Sequence, residues 1–386
     1  MLRQLGLNRN LAIISATIFL NLFARFAYYA LLPLHLRSLG ANDLQVGAVF
    51  TALTLARNVF GVFGGALGDR VGRRAMIAVA TFAMGPFLIL AGLTNDWLTL
   101  SITLFLVETC GAFQYPPLNA LITESATDNR VARAFSITES AVLTGFIVGP
   151  LVGAAVIDYV NIPTLIMCNG IVLMLSGIVR GIGLREPARH RASGMMPKLR
   201  AAIDANVRWY MLSNTLVVAT FSIIFGPFYA IFLRDVWRNS EAEINLLWSV
   251  GSLVSLGGII LGRMSDRWGG KRVFVFSAVV YAVMMALWGI APTWQWGLAP
   301  LLLAFLFSEA MYMSQQTLQA SITSPETRAS VVGVIFTTAG LIGGLGPTFG
   351  AWLATVGGLP LTFIVAGGLG FLAMVLVLPI QVRAEK

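Results

Sequence analysis

Charge is what this chain has least of. Asp, Glu, Lys and Arg make up 11% of its 386 residues and 57% are hydrophobic, whereas an average soluble protein carries roughly 25% charged residues. Such a composition cannot clothe a water-exposed surface, so soluble domains are excluded and a membrane is implied. Cysteine is nearly absent. Cys110 and Cys168 lie far apart in apolar stretches, which leaves neither a disulfide framework nor a metal-ligand spacing, and both read as small buried side chains. His35 and His190 stand alone, without the spaced ligands zinc requires. No G-x-x-x-x-G-K-S/T loop is present to cradle a nucleotide phosphate, and no nucleophile, base and orienting acid can be assembled. An enzyme is not expected, nor a cofactor, a metal or a nucleic-acid partner.

Long apolar runs are what the chain has most of. A hydrocarbon core about 30 Å thick is crossed by about 20 helical residues, and runs of that length recur near 11–36, 44–66, 74–94, 97–123, 131–158 and 162–183, then near 209–234, 243–264, 272–291, 295–323, 329–356 and 359–380. The fold class predicted is therefore all-α and integral to a membrane, with twelve transmembrane helices. The longest polar stretch, LREPARHRASGMMPKLRAAIDANVR at 184–208, divides the chain into a six-helix bundle at 1–183, a cytoplasmic linker and a second six-helix bundle at 209–386. The opening MLRQLGLNRN has the basic character of a targeting signal, but the apolar stretch after it is too long, contains Arg25 and lacks a small-residue cleavage site, so it reads as a retained first span.

Basic residues set the orientation. With a cytoplasmic N-terminus, the inside segments hold Arg3, Arg9, Arg70, Arg73, Arg74, Arg130, Arg133, Arg180, Arg185, Lys271, Arg272 and the linker arginines, while Asp43, Asp96, Asp158 and Asp235 collect outside. Both termini are then cytoplasmic, in an inner (cytoplasmic) membrane. The net charge of +9 faces anionic lipid headgroups of the bilayer.

The chain also repeats itself. GALGDRVGRRAMI at 65–77 has a looser echo in GRMSDRWGGKRVFVF from Gly262, with Asp69 and Asp266 standing 197 positions apart (266 − 69). GFIVGPLVGA at 145–154 and IGGLGPTFGA at 342–351 hold the same register, Pro150 and Pro347 being again 197 apart. Two halves of six helices thus derive from one unit. At this point the chain resembles the major facilitator superfamily. The signature turn of that family between helices 2 and 3 is met by Gly65, Leu67, Gly68, Asp69, Arg70, Gly72, Arg73 and Arg74, and the helix-5 pattern by Gly145, Gly149, Pro150 and Gly153, which is more similar to drug/proton antiporters than to sugar importers. The resemblance implies a monomer that works by alternating access, two bundles rocking about a central cavity lined by helices 1, 4, 7 and 10.

Physical chemistry gives those motifs tasks of their own. Glycines in the turn permit tight reversal and close helix approach, and Asp69 can take backbone N–H groups or pair with an arginine. A gating latch is expected there, with a second at Asp266 and Arg267, although Gly270 departs from the pattern. Small residues four apart in helix 5 pack helices closely and Pro150 bends the span.

Five charges lie well inside the spans: Arg25, Arg57, Glu108, Glu139 and Glu309. Each costs several kcal/mol unless paired or hydrated, roughly 2.5–3.5 on insertion scales. Arg57, twelve residues before Asp69, falls about 18 Å along the helix, near mid-membrane. Arg25, Glu108 and Glu309 fall at similar depth, with Glu139 nearer the cytoplasm. Desolvation favours the protonated carboxyl, as a proton carrier requires, so Glu108, Glu139 and Glu309 are candidates for proton coupling or cation recognition; static pairing with Arg25 or Arg57 is the competing reading. FLVET at 105 and FLFSE at 305 set Glu108 and Glu309 in near correspondence. Tyr28, Tyr29, Gln114, Phe225, Tyr229, Tyr312, Gln315 and Gln316 are candidate cavity residues, aromatic for a flat apolar substrate and amide for hydrogen bonding. The leading expectation is proton-coupled export of hydrophobic or cationic small molecules. Import or exchange of a polar or anionic metabolite on Arg25 and Arg57, and lipid flipping, stay open.

Overall fold

The computed structural model describes residues 8–126, 131–186, 203–324 and 327–381, which are helical almost throughout, with no strand among them. In chain order the helices are α1 (Arg9–Tyr29), α2 (Leu32–Ser38), α3 (Asp43–Val71), α4 (Arg73–Leu93), α5 (Trp97–Glu124), α6 (Val131–Val156), α7 (Ile162–Gly183), α8 (Ala205–Ile223), α9 (Tyr229–Asp235), α10 (Glu241–Arg263), α11 (Ser265–Trp268), α12 (Gly270–Ile290), α13 (Trp294–Ile322), α14 (Arg328–Ile342) and α15 (Gly346–Val377). A π-helical turn, Ile224–Phe228, joins α8 to α9 where Gly226 leaves helical geometry before Pro227.

Eleven stretches among the described residues are long and apolar enough to cross a membrane. The last, Ser330–Val377, runs for 48 residues, about 72 Å at 1.5 Å per residue and more than twice a hydrocarbon core of about 30 Å. It makes two passes, because Gly357 and Gly358 break the helix, the latter at φ 76°, and Pro360 follows. Helix starts are fixed by side chains outside the apolar runs. Asn8, Asp96, Asn161 and Asp204 accept the backbone N–H of Leu11, Thr99, Thr164 and Val207 at 2.8–2.9 Å, each satisfying one of the orphan donors of a helix start.

The chain forms two compact units. One comprises residues 1–42, 52–191 and 240–249, and the other residues 43–51, 192–239 and 250–386. In the first, α4 lies along α7 and α6 along α1 at glycine contacts. Gly85 and Gly170 face each other's carbonyl oxygens, and Gly145, Gly149 and Gly153 form a stripe against Leu22, Phe23 and Ala27. Where the surrounding lipid is as apolar as leucine, such close approach is what associates helices. A cluster of Leu11, Ile14, Ile77, Leu118 and Leu121 fills the space between α1, α4 and α5.

Contacts in the second unit repeat those of the first at the same offset of 197. A Cβ on Gly92 would come within 2.6 Å of the Pro163 carbonyl oxygen, and one on Gly289 within 3.2 Å of that of Pro360. Gly65 meets Pro116 as Gly262 meets Met313, and Gly149 meets Phe26 as Gly346 meets Ile223. The charged turn obeys the register too. Gly72 and Gly269 reverse the chain with φ 108° and 83°, so Gly270 stands in place of Arg73 and is no insertion. It is pressed against the backbone of Ser314 and Leu318, where a side chain would not fit.

Candidate functional site

The mid-membrane charges of the first unit converge. Glu108 on α5 accepts from Arg25 of α1 at 2.6 Å and lies 3.4 Å from the Arg57 Nε of α3. Arg25 also sits 4.8 Å from the centre of the Tyr29 ring. Tyr28 is buried, its hydroxyl accepting from the Asn169 amide of α7 at 3.0 Å. Arg57 therefore belongs to the same cluster as Arg25 and Glu108. Two guanidiniums share one carboxylate, so the cluster carries a net positive charge.

Two cavities open around it within this unit. One of about 80 Å³ is lined by Arg25, Tyr28, Tyr29 and Glu108. The other, about 300 Å³, has Glu139 and Arg180 in its wall. Asn21, Leu22, Gln114 and Tyr115 line both. Glu139 is exposed, forms no ion pair or hydrogen bond with the described residues, and differs in this from the enclosed Glu108. A carboxylate that water reaches and no cation holds is free to exchange a proton.

Arg180 is the residue the sequence reading misassigned. Counted among the inside anchors, it is instead 2% exposed. It donates through Nε to Thr17 Oγ1 at 2.9 Å, and through Nη1 to Thr81 Oγ1 at 2.7 Å and Gln114 Oε1 at 2.8 Å. No carboxylate among the described residues lies within ion-pair distance. Its position inside the apolar run GIVRGIG was the available signal, since a span-end arginine on an inward face cannot reach water.

In the second unit the expected cavity side chains are distributed differently. Tyr229 is wholly buried, edge-on to Trp288 and Phe305, and Phe225 packs on Phe305 with ring centres 4.9 Å apart. Gln315 is buried, its carbonyl accepting from the Tyr210 hydroxyl at 3.1 Å, whereas Tyr312 and Gln316 are exposed. Glu309 is half-buried and its Cβ faces Gly258 of α10. Packing corrects its correspondence with Glu108: at the offset the glycine contacts obey, Glu108 matches Phe305 and Glu309 matches Ala112, one helical turn on.

The charged turns are tied within their own units. The carboxylate of Glu186 accepts the backbone N–H groups of Arg73 and Arg74 at 2.8 and 2.9 Å, and Arg73 pairs with Glu124. Arg74 donates to the Gly181 carbonyl through Nε at 2.7 Å, and Lys271, its equivalent, to that of Leu378 at 2.6 Å. Each cation thus satisfies orphan carbonyls at the end of the last helix of its half. Gly68 abuts the Pro117 ring; Arg70, Asp266 and Arg267 are exposed. The side chain of Asp69 lies outside the described residues. Glu186 and Glu124, which hold this turn, were not singled out in sequence, because neither sits in the motif.

Comparison with known proteins gives a consistent answer. A family model described as Major Facilitator Superfamily matches residues 14–232 and again 210–386. The chain is similar to Multidrug resistance protein MdtG of Enterobacter lignolyticus (strain SCF1), 25% identical over 312 residues that cover 76% of this chain and 74% of the relative. It is also similar to the protein of that name in Escherichia fergusonii, 24% identical over 290 residues, 70% of each chain. Among solved structures, the fold resembles a bacterial homolog of the human lysosomal transporter Spinster in an inward-facing and occupied conformation, with TM-score 0.77, 17% identity and coverage of 97% and 96%. It resembles the nucleoside transporter NupG with TM-score 0.77, 15% identity and coverage of 97% and 100%.

Proposed function

Because the chain belongs to the Major Facilitator Superfamily, and so is a multi-pass, non-enzymatic secondary transporter, we propose that it exports hydrophobic small molecules in exchange for protons. In this reading two six-helix halves, 1–183 and 209–386, alternate access as a monomer in a bacterial inner membrane, with both termini inside. The name of these relatives, multidrug resistance protein, supports export. Glu139 carries the coupling assignment: it is the membrane carboxylate of the first unit that faces open space without a cation, while Glu108 is enclosed by two. Glu309 is retained as a second candidate. Cationic cargo is not carried forward, because Arg25, Arg57 and Arg180 outnumber Glu108 and Glu139 in the membrane core of that unit.

The test is transport in proteoliposomes with an imposed pH gradient and a lipophilic dye as cargo. Glu139→Gln is expected to lose gradient-driven flux while keeping dye-for-dye exchange, since the cavity persists and only the titrating group is gone. Undiminished gradient-driven flux in that variant would remove Glu139 from the role.

One observation favours a second reading, carriage of an anion: the surplus of guanidinium just noted. An anion held by arginine binds better once a nearby carboxylate is protonated, so proton and anion would travel together, whereas a neutral cargo that competes with the proton travels against it. The direction of proton movement relative to cargo decides between them.

A further inference from the structure

A buried guanidinium without a carboxylate needs a reason. Removing an unpaired cation from water costs several kcal/mol even after relaxation, and ionisable side chains kept inside a span despite that cost mark functional positions. Arg180 is in this situation, its charge met among the described residues by the neutral oxygens of Thr17, Thr81 and Gln114.

The duplicated fold supplies an internal control. At the offset of 197, Arg180 corresponds to Val377, Thr81 to Ala278 and Gln114 to Met311, which are 0%, 0% and 1% exposed. The same scaffold therefore packs with apolar side chains at all three places, and neither the arginine nor its cradle is needed to build a six-helix bundle. Only Thr17 has a polar counterpart, Asn214. The cradle was acquired, or kept, in one copy alone.

Geometry says what it is for. The three hydrogen bonds use Nε and Nη1 and fix the guanidinium plane, which leaves Nη2 without a hydrogen-bond partner among the described residues, and Arg180 is one of the residues that line the cavity of about 300 Å³. That volume is at the small end of ligand pockets. The rest of the wall is mainly apolar, with Ile18, Leu22, Leu118, Phe135 and Phe146, and also holds Asn21, Asn119 and the acid Glu139. A planar donor held rigid beside a mainly apolar chamber matches a carboxylate or phosphate-type group on an apolar body, because oxyanions take the N–H groups of arginine with directional bonds. We infer that Arg180, oriented by Thr17, Thr81 and Gln114, is a binding site for the oxyanion of a small amphipathic molecule. The site goes beyond the export reading and holds whichever way cargo moves.

The experiment is equilibrium binding to the purified full chain in phosphatidylcholine nanodiscs, without a gradient. The probes are naphthalene-1-carboxylate and its neutral isostere naphthalene-1-carboxamide. Wild type is expected to prefer the carboxylate at least about tenfold, the worth of one charge-assisted hydrogen-bond pair. Arg180→Met should abolish that preference and leave carboxamide binding intact. Thr81→Ala and Gln114→Met, which copy the second half and so fit the scaffold, should each weaken the carboxylate several-fold and not the carboxamide; they decide the matter if Arg180→Met does not fold. Equal affinity of wild type for the two probes, or a preference that survives in the Arg180 and cradle variants, overturns the inference. Weaker carboxylate binding in phosphatidylglycerol nanodiscs would support the oxyanion site and identify a lipid headgroup as its occupant. Because binding is read with no proton gradient, failure here leaves the Glu139 assignment standing, and failure of that assignment leaves this one.

Discussion

Deleting the carboxylate of Glu108 should unbalance the first unit more than any other single-atom-scale change. Glu108→Gln keeps the shape and removes the one anion shared by Arg25 and Arg57. Breaking a buried ion pair by loss of one member costs about 3–5 kcal/mol, because the survivor stays buried and uncompensated. The Glu108 side chain is 9% exposed and that of Arg25 22%, so this pair belongs near that range; the Arg57 side chain is 42% exposed at the longer distance of 3.4 Å, and its share is at most about 1 kcal/mol. Taking the lower end, a loss of about 3 kcal/mol is expected. At about 2 °C per kcal/mol for long chains, the melting temperature of the detergent-solubilised protein should fall by about 6 °C. The double variant Arg25→Gln/Glu108→Gln should recover part of the loss, with a coupling of about 2 kcal/mol. If Glu108→Gln melts within about 1 °C of wild type, or if the two substitutions simply add, the cluster is not a buried ion pair in the sense argued here.

Two further expectations test the scaffold. A Cβ on Gly149 would meet the Phe23 carbonyl oxygen at 2.7 Å, whereas Gly61 has nothing within 4 Å. Gly149→Leu should therefore cost at least the about 1–3 kcal/mol of overpacking and reduce the yield of monodisperse protein, with Gly61→Leu tolerated; equal yields would refute the close α1–α6 contact. At the start of α5, the backbone N–H of Thr99 holds the Asp96 carboxyl below its usual range. A lowered folded value means stabilisation that is present above the unfolded carboxyl's pKa, about 3.9, and lost as pH falls through the folded one. The melting difference between wild type and Asp96→Ala should be steady from about pH 7 to 5 and close below about pH 4. A difference unchanged on full acidification would show the cap to be independent of charge.

Twelve spans were legible because a bilayer forces about 20 apolar residues into each, and the repeat was legible because glycine and proline are irreplaceable where helices touch. Side-chain facing was not. Lipid and bundle interior are both apolar, so a linear run does not say which stripe points inward. That is why Arg180 passed for a topology anchor and Tyr229 for a cavity residue, although the one is enclosed by Thr17, Thr81 and Gln114 and the other by aromatic rings. Glu309 was matched to Glu108 through the likeness of FLVET and FLFSE, a composition match; the contact of Gly262 with Met313, equivalent to that of Gly65 with Pro116, shows the true register to differ by a turn.

Once that register is known, the two halves can be compared residue by residue, and the comparison separates scaffold from chemistry. Helix contacts coincide: Gly85 with Gly170 corresponds to Ala282 with Gly367, and Arg74 on Gly181 to Lys271 on Leu378. Membrane charges do not. Arg25, Arg57, Glu108, Glu139 and Arg180 stand opposite Ser222, Val254, Phe305, Phe336 and Val377. Where Glu108 holds Arg25, its counterpart Phe305 holds Phe225. A fold that forms with either set requires neither, so the charges of the first unit are not part of the common scaffold. The second unit offers an aromatic core and, well inside a span, the acid Glu309, opposite Ala112. Membrane charge is thus concentrated in one copy of a duplicated bundle and aromatic packing in the other, and on that division the proposals for Glu139 and Arg180 rest.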